Sequence, residues 1–339
     1  MRVLVLALAF LFAGAALAQQ TDAQQQQQRR VEQPGNNAPV WREVRKEGSQ
    51  ENYTSIPGRE TNVLVQSAGN TWRQIRNGPV TFYGGWLVVI VCLIIGALYF
   101  GKGPVKLHDK PTGRLIRRFS TTEQIVHWST AISFCILGLS GLIMLFGKYV
   151  LLPVIGYTLF AWLTALGKNL HNFVAPFFIV SVIAMIVIFL RDNLPRVYDW
   201  MWFQKAWAFF TRGEHIPSGR FNAGEKAWYW LGVIGLSIVV SWSGVILLFP
   251  NFDQTRAVMQ EAWIWHASAA VLYIAISLGH IYMGTIGVDG AYGNMRNGYT
   301  DETWAREHHQ YWYDEVKSGK REGASGAVPA GAPHMKEKS

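Results

Sequence analysis

Four of the nine histidines stand inside long apolar stretches, where an ionisable side chain is costly and marks function more often than not. Two share one stretch. From Ala262 to Val288 there is no Asp, Glu, Lys or Arg, yet His266 and His280 are both present. Fourteen residues is almost four helical turns, so both imidazoles leave one face, about 21 Å apart along the axis. Imidazoles at two depths of a membrane helix suit axial ligation of two haems. The plainer reading is hydrogen bonding to neighbouring helices. His127 and His171, each alone in a further apolar run, are available as opposite ligands.

These histidines need elements that hold them at defined depths. Five runs are long and apolar enough to be predicted spans: Val80–Phe100, Ile125–Phe146, Asn169–Leu190, Ala227–Pro250 and Glu261–Val288. Trp and Tyr gather near several of their ends, as interfacial aromatics do (Trp86, Trp128, Trp228, Trp263). Lys and Arg set the expected orientation. Residues 101–124 and 191–226 carry six each and the chain after Asp289 seven, whereas the two remaining loops hold only Lys148, Lys168 and Arg256. The basic group is expected to be cytoplasmic. Arg73 and Arg76 go against this rule, and an exported N-terminal segment would override them. The uncharged stretch Tyr149–Gly167 is expected to be an apolar outer loop or re-entrant piece, because a sixth span would send the basic loop and tail outside. Alternating spans then pair His171 with His266 on the outer side and His127 with His280 on the inner side. Two bis-histidine haems b follow. Small residues nearby (Gly138, Gly141, Ala175, Ala267, Ala269, Gly279) leave room for a porphyrin or serve ordinary helix packing.

The rest of the chain bounds the function class. Of 339 residues 50% are hydrophobic and the net charge is +9. The basic residues lie in loops between apolar runs, which argues topology and membrane lipid rather than nucleic acid. Residues 1–18 read as a signal peptide and 19–79 as an exported, largely disordered, Gln-rich segment. Tyr198–Phe210 reads as an amphipathic helix in the inner interface, and 291–339 as a cytoplasmic tail. Cys92 and Cys135 fall inside spans and read as buried thiols. His108, His215, His308, His309 and His334 are expected to be solvated. No nucleotide loop, flavin fingerprint or cysteine-rich cluster motif is present. Partners must therefore supply the catalytic centre, and whether the chain is itself an enzyme stays open. Asn222 sits just before the fourth span, level with His280. Its amide could hold a quinone carbonyl, or Asn222 and Glu225 could form a capping box, and the two roles can coexist.

Four motifs together carry a resemblance: RRFSTTEQIVHW at Arg117–Trp128, NLHN at Asn169–Asn172, FNAGEK at Phe221–Lys226 and GHIYMG at Gly279–Gly284. Over about Leu115–His309 the chain resembles the gamma subunit of respiratory formate dehydrogenase, a di-haem cytochrome b membrane anchor. Gly69–Pro79 and the first span resemble the longer proteobacterial form. The resemblance implies an all-α membrane protein: a four-helix di-haem cytochrome b domain over 115–290, with one extra N-terminal transmembrane helix at 80–100. It implies His127, His171, His266 and His280 as haem ligands. It implies quinone near Asn222 and His280, with Gly284 and Glu225 as further candidates. It also implies two partners, a molybdenum or tungsten catalytic subunit and an iron–sulfur beta subunit. The setting would be a bacterial inner membrane, with the N-terminal segment periplasmic and the C-terminus cytoplasmic. The cytochrome b subunit of a membrane-bound uptake hydrogenase shares this helix and haem logic. A transporter or receptor without cofactor is the reading from another class, weakened by the absence of acidic or basic residues inside the spans.

Overall fold

The computed structural model describes residues 68–320. The predicted signal peptide, most of the predicted exported segment and the last residues of the tail lie outside the described residues. Among the described residues five helices are long and apolar enough to cross a membrane: Gly69–Gly101, Thr121–Val150, Leu152–Phe189, Ala223–Leu248 and Arg256–Gly287. Their outward faces expose large apolar side chains such as Phe100, Phe173 and Val180. Inside hydrocarbon every backbone polar group must be satisfied within the segment, and a helix does this. Each helix outruns its apolar run. The first begins as α1 (Gly69–Ile75), passes through a π turn at Arg76–Val80 and continues as α2 (Thr81–Gly101).

α3 (Thr121–Val150) starts at a reciprocal cap. The Glu123 carboxylate accepts from the Ser120 amide at 2.7 Å, and Ser120 Oγ accepts from the Glu123 amide at 3.3 Å. α4 (Leu152–Phe189) leaves helical geometry at Gly156, where φ is +75°, a conformation glycine adopts without strain. Residues 149–167 are therefore helical apart from a turn at Leu151 and the break at Gly156, and the expected loop is corrected to helix. Pro153 and Gly156 do mark an interruption, but the apolar run beyond them is long enough to keep its own hydrogen-bond ladder. α5 (Val197–Arg212) follows. It buries Trp202 and Ala208 and exposes Trp200, Phe203 and Trp207. The fourth span joins α6 (Ala223–Trp228) through a π stretch at Tyr229–Leu236 to α7 (Ser237–Leu248). α8 (Arg256–Tyr282) carries His266 and His280.

The described chain forms two compact units. The first draws on residues 68–85, 136–175 and 242–268. In it Trp72 meets Trp263 edge to face at 5.8 Å, with the Arg76 guanidinium 5.0 Å from the Trp263 ring. Arg76, an exception to the charge rule, is thus held on aromatic faces.

The second unit draws on residues 86–135, 176–241 and 269–320. Here the expected tail is folded at least to Lys317, as α9 (Ala291–Asn297), α10 (Glu302–His308) and α11 (Gln310–Lys317). A short antiparallel pair joins β1 (Leu115–Arg117) to β2 (Tyr299–Asp301), with Ile116 opposite Thr300. Ile116, Ala305, Trp312 and Val316 form the buried cluster behind it. Gly298, at φ +80°, ends α9, and its carbonyl accepts the Arg118 and Phe119 amides at 2.8 and 3.0 Å. A Cβ there would lie 2.6 Å from the Phe119 carbonyl oxygen, so both the turn and the close approach require glycine.

Candidate functional site

The four span histidines meet in pairs, one pair in each unit. His171 on α4 and His266 on α8 lie with ring centroids 6.0 Å apart. His127 on α3 and His280 on α8 lie at 6.3 Å. A metal–imidazole bond of about 2.0–2.1 Å plus the depth of the ring puts two imidazoles on opposite sides of one ion with centroids about 6 Å apart. Both pairs have that spacing, and the donors are all neutral-type nitrogen ligands suited to haem iron.

In the first unit the rings are oriented by hydroxyls. Ser140 Oγ donates to the Ile136 carbonyl at 2.7 Å and lies 2.9 Å from His171 Nδ1. A hydroxyl has one proton, so with that proton on the carbonyl it accepts from Nδ1–H, and Nε2 keeps its lone pair. Ser243 Oγ lies 3.2 Å from His266 Nδ1. The residue after each serine is glycine. A Cβ on Gly141 would sit 3.7 Å from His171 Cε1, and one on Gly244 only 3.2 Å from His266 Cε1. A Ser-Gly dipeptide thus serves each ring: the hydroxyl turns it and the glycine leaves it space. Such support for the outer nitrogen is how metal-ligating histidines are held.

In the second unit the support is aromatic. Trp228 stacks on His280 at 5.1 Å with 15° between the planes. Tyr273 packs against Trp228 at 5.6 Å. His127 Nδ1 is buried with no hydrogen-bond partner. A buried unpaired nitrogen costs about 1–3 kcal/mol, which a ligand or a water held beside a ligand would offset. His280 is itself exposed in the isolated chain.

Asn222 forms the reciprocal cap expected of it. Its Oδ1 accepts from the Glu225 amide at 2.9 Å, and Glu225 accepts from the Asn222 amide at 2.8 Å. Its side-chain NH2 donates to nothing among the described residues. The other Glu225 oxygen faces the Arg118 guanidinium at 3.3 Å. Gly284 lies in a π turn at Met283–Gly287, where an added Cβ would meet nothing within 4 Å.

The motifs flanking the spans form buried charge contacts. The Arg220 guanidinium bridges Glu123 at 2.8 Å and Asp192. Burial opposes the Arg220 charge, but those two carboxylates more than offset it and raise its pKa. Lys226 is buried and paired with Asp199 at 2.8 Å. His309 is buried, and its Nδ1 lies 2.8 Å from the Gly219 carbonyl oxygen. Burial, then the nearby Arg118 charge, holds His309 well below the usual histidine range. The expectation of solvated loop histidines is therefore corrected for His308 and His309, which are both buried, and for His215, which is half-buried. No periodicity announces burial in such loops. The serines were missed because a hydroxyl inside an apolar run reads as helix packing. The repeated Ser-Gly pair was the available signal.

Residues 118–291 match the family model of the prokaryotic cytochrome b561. Three relatives are similar over about three fifths of the chain. The formate dehydrogenase cytochrome b556(fdo) subunit of Escherichia coli (strain K12) is 32% identical over 204 residues, 60% of this chain and 93% of the relative. The nitrate-inducible cytochrome b556(Fdn) subunit of the same strain is 28% identical over 217 residues, 61% and 94%. The formate dehydrogenase cytochrome b556 subunit of Haemophilus influenzae is 25% identical over 218 residues, 61% and 86%. The matched region begins at the Arg118 network and covers all four paired histidines. With five helices able to span a membrane and two histidine pairs at ligand spacing, the chain belongs to the prokaryotic cytochrome b561 family, as a relative of the cytochrome b subunits of formate dehydrogenases.

Proposed function

We propose that this chain is the membrane anchor and electron conduit of a formate dehydrogenase, with two haems b on the way to quinone. The observation that carries this reading is the pair of imidazole pairs, at 6.0 and 6.3 Å between centroids. His171 and His266 would hold one haem, and His127 and His280 the other. Haem b, when bound, supplies a one-electron centre in a site that no catalytic base or nucleophile occupies. The protein's part is to fix the imidazoles, keep their ligating nitrogens deprotonated and exclude water. Ser140 does the first for His171 by accepting from Nδ1–H, and Ser243 lies within hydrogen-bond distance of His266 Nδ1. Trp228 does it for the other by stacking.

The distribution of basic residues supports a cytoplasmic position for the His127–His280 pair. Electrons would enter from an iron–sulfur subunit on the periplasmic side, which a molybdenum or tungsten subunit feeds from formate. Quinone would bind at the cytoplasmic end near Asn222, His280 and Gly284. The Asn222 side-chain NH2 supports this role: the cap engages Oδ1 and leaves a donor for a quinone carbonyl. Both Glu225 oxygens are engaged by the Asn222 amide and by Arg118, so Glu225 holds the loop. Protons taken from the cytoplasm and electrons taken from outside would make the reaction charge-separating.

The test uses the chain purified gently with its partners. Haem reduced by formate is compared with haem reduced by dithionite. Near-complete reduction by formate is expected. Reduction by hydrogen and not by formate would transfer the assignment to an uptake hydrogenase. Reduction by neither, with a catalytic subunit present, would remove the proposed donor path.

A further inference from the structure

Away from the spans, three segments remote in sequence bring nitrogen and oxygen ligands to one open cavity. They are the stretch between α2 and β1, the loop between α5 and α6, and the end of α10. The cavity holds about 260 Å³ and is lined by His108, Asp109, His215, Pro217, Arg306 and Glu307. One ligand atom each of His108, His215 and Glu307 lies within 4.8 Å of the others. The geometry points to a binding site for a divalent transition ion, of which zinc is the best chemical match, held by His108, His215 and Glu307. It is independent of the haem reading.

Four observations carry it. First, His215 Nε2 lies 3.1 Å from a Glu307 carboxylate oxygen, yet it is buried and makes no aligned hydrogen bond. A zinc ion with bonds of about 2.0–2.2 Å holds tetrahedral ligand atoms about 3.4 Å apart, so this edge is already near coordination length. Second, Glu307 is fixed before any ion arrives. Its two oxygens accept the His108 and Asp109 amides, both at 2.9 Å, and a carboxylate retains further lone pairs. Third, His215 has an orienting partner, because its Nδ1 lies 3.3 Å from His308 Nδ1. With Nδ1–H directed at His308, the His215 lone pair is on Nε2, the nitrogen facing Glu307. An ion on Nε2 would set this direction, because a metal-bound imidazole keeps its proton on the other nitrogen. Fourth, the competing cation is neutralised elsewhere, since Arg306 pairs with Asp109 at 2.6 Å.

His108 closes the set. Its ring meets His215 at 4.3 Å between centroids, and it is the exposed member, so a small rotation completes the site. Two histidines and one carboxylate leave a fourth position for water from the open side. The ion would tie the segment after the first span to the folded C-terminal helices, so its role is to clamp that end of the chain.

The full chain, with the partners that co-purify, is stripped of loose metal, exposed to zinc and desalted. Zinc is then counted by mass spectrometry and its surroundings read by X-ray absorption at the zinc edge, which haem iron and molybdenum do not obscure. One zinc per chain with imidazole scattering is expected. His108→Ala, the exposed ligand whose loss disturbs no core, and His215→Ala are expected to weaken binding by at least about tenfold, the low end of what losing even an outer-shell partner costs. Asp314→Ala, at an exposed carboxylate outside the cavity, keeps the zinc. Substoichiometric zinc in the wild-type chain, a zinc edge without imidazole scattering, or undiminished binding in His108→Ala would overturn the site. The edge spectrum needs no variant, so a His215→Ala chain that misfolds leaves the test intact.

Discussion

The two histidine pairs have nearly the same spacing and quite different support. His171 and His266 are turned by Ser140 and Ser243, with Gly141 and Gly244 leaving space beside them. His280 leans on the Trp228 ring, and the buried His127 Nδ1 has no hydrogen-bond partner. A hydroxyl accepting from Nδ1–H makes an imidazole a stronger donor to a metal, whereas an aromatic face fixes the ring and adds little to its basicity. One ligand geometry can therefore serve two centres of different electron affinity. The hydroxyl-supported pair is expected to favour the oxidised ion more.

The largest expected effect is on the aromatic pair. Trp228→Ala removes the half-buried ring stacked on His280 and packed on Tyr273, and the loss is expected to approach that of a fully buried aromatic, about 3–5 kcal/mol. Thermal unfolding in detergent reads the loss. The spectrum of the His127–His280 centre is expected to change while the other stays. Gly244→Val does the converse. A Cβ already sits 3.2 Å from His266 Cε1, so two further methyls overpack the ring by about 1–3 kcal/mol. The haem of the hydroxyl-supported pair is expected to be lost or low-spin-disturbed, and an equal disturbance of both centres would argue against two separate sites.

At Asn222 the cap can be separated from the proposed quinone contact. Asn222→Ala loses the cap, worth about 0.5–2 kcal/mol. Asn222→Asp keeps an equivalent cap and replaces the amide donor with a carboxylate oxygen. Quinone reduction in Asn222→Asp is expected to slow by about 2- to 12-fold with stability unchanged, the range a neutral hydrogen bond spans. Unchanged quinone kinetics would leave Asn222 as a cap alone. The smallest effect sharpens the contrast most. Ser140→Ala removes one hydrogen bond of about 0.5–1.5 kcal/mol, so one centre's midpoint should rise by roughly 20–65 mV on a one-electron scale. A potentiometric titration reads it, and the other midpoint should not move.

Much of this was legible in the sequence. Apolar runs free of charge located five spans, and a histidine inside such a run announces itself by cost alone. The runs understated the helices, because α3 and α8 extend into polar turns that side chains such as Ser120 and Glu123 cap. Tyr149–Gly167 misled because its break signals are real, and the helix simply resumes after Gly156. The folded C-terminal end was hidden for a different reason. A three-residue strand at Leu115 pairs with one at Tyr299, and no local pattern encodes a partner so distant. The same holds for His108, His215 and Glu307, which only the fold brings together.

The most direct test counts haem in the wild-type chain and in four single variants, His127→Ala, His171→Ala, His266→Ala and His280→Ala. The account predicts two haems b per chain in the wild type and one in each variant. His171→Ala and His266→Ala should leave the same residual spectrum, and His127→Ala and His280→Ala the other one. Undiminished haem in any variant, or different residual spectra from the two members of one pair, would contradict the pairing.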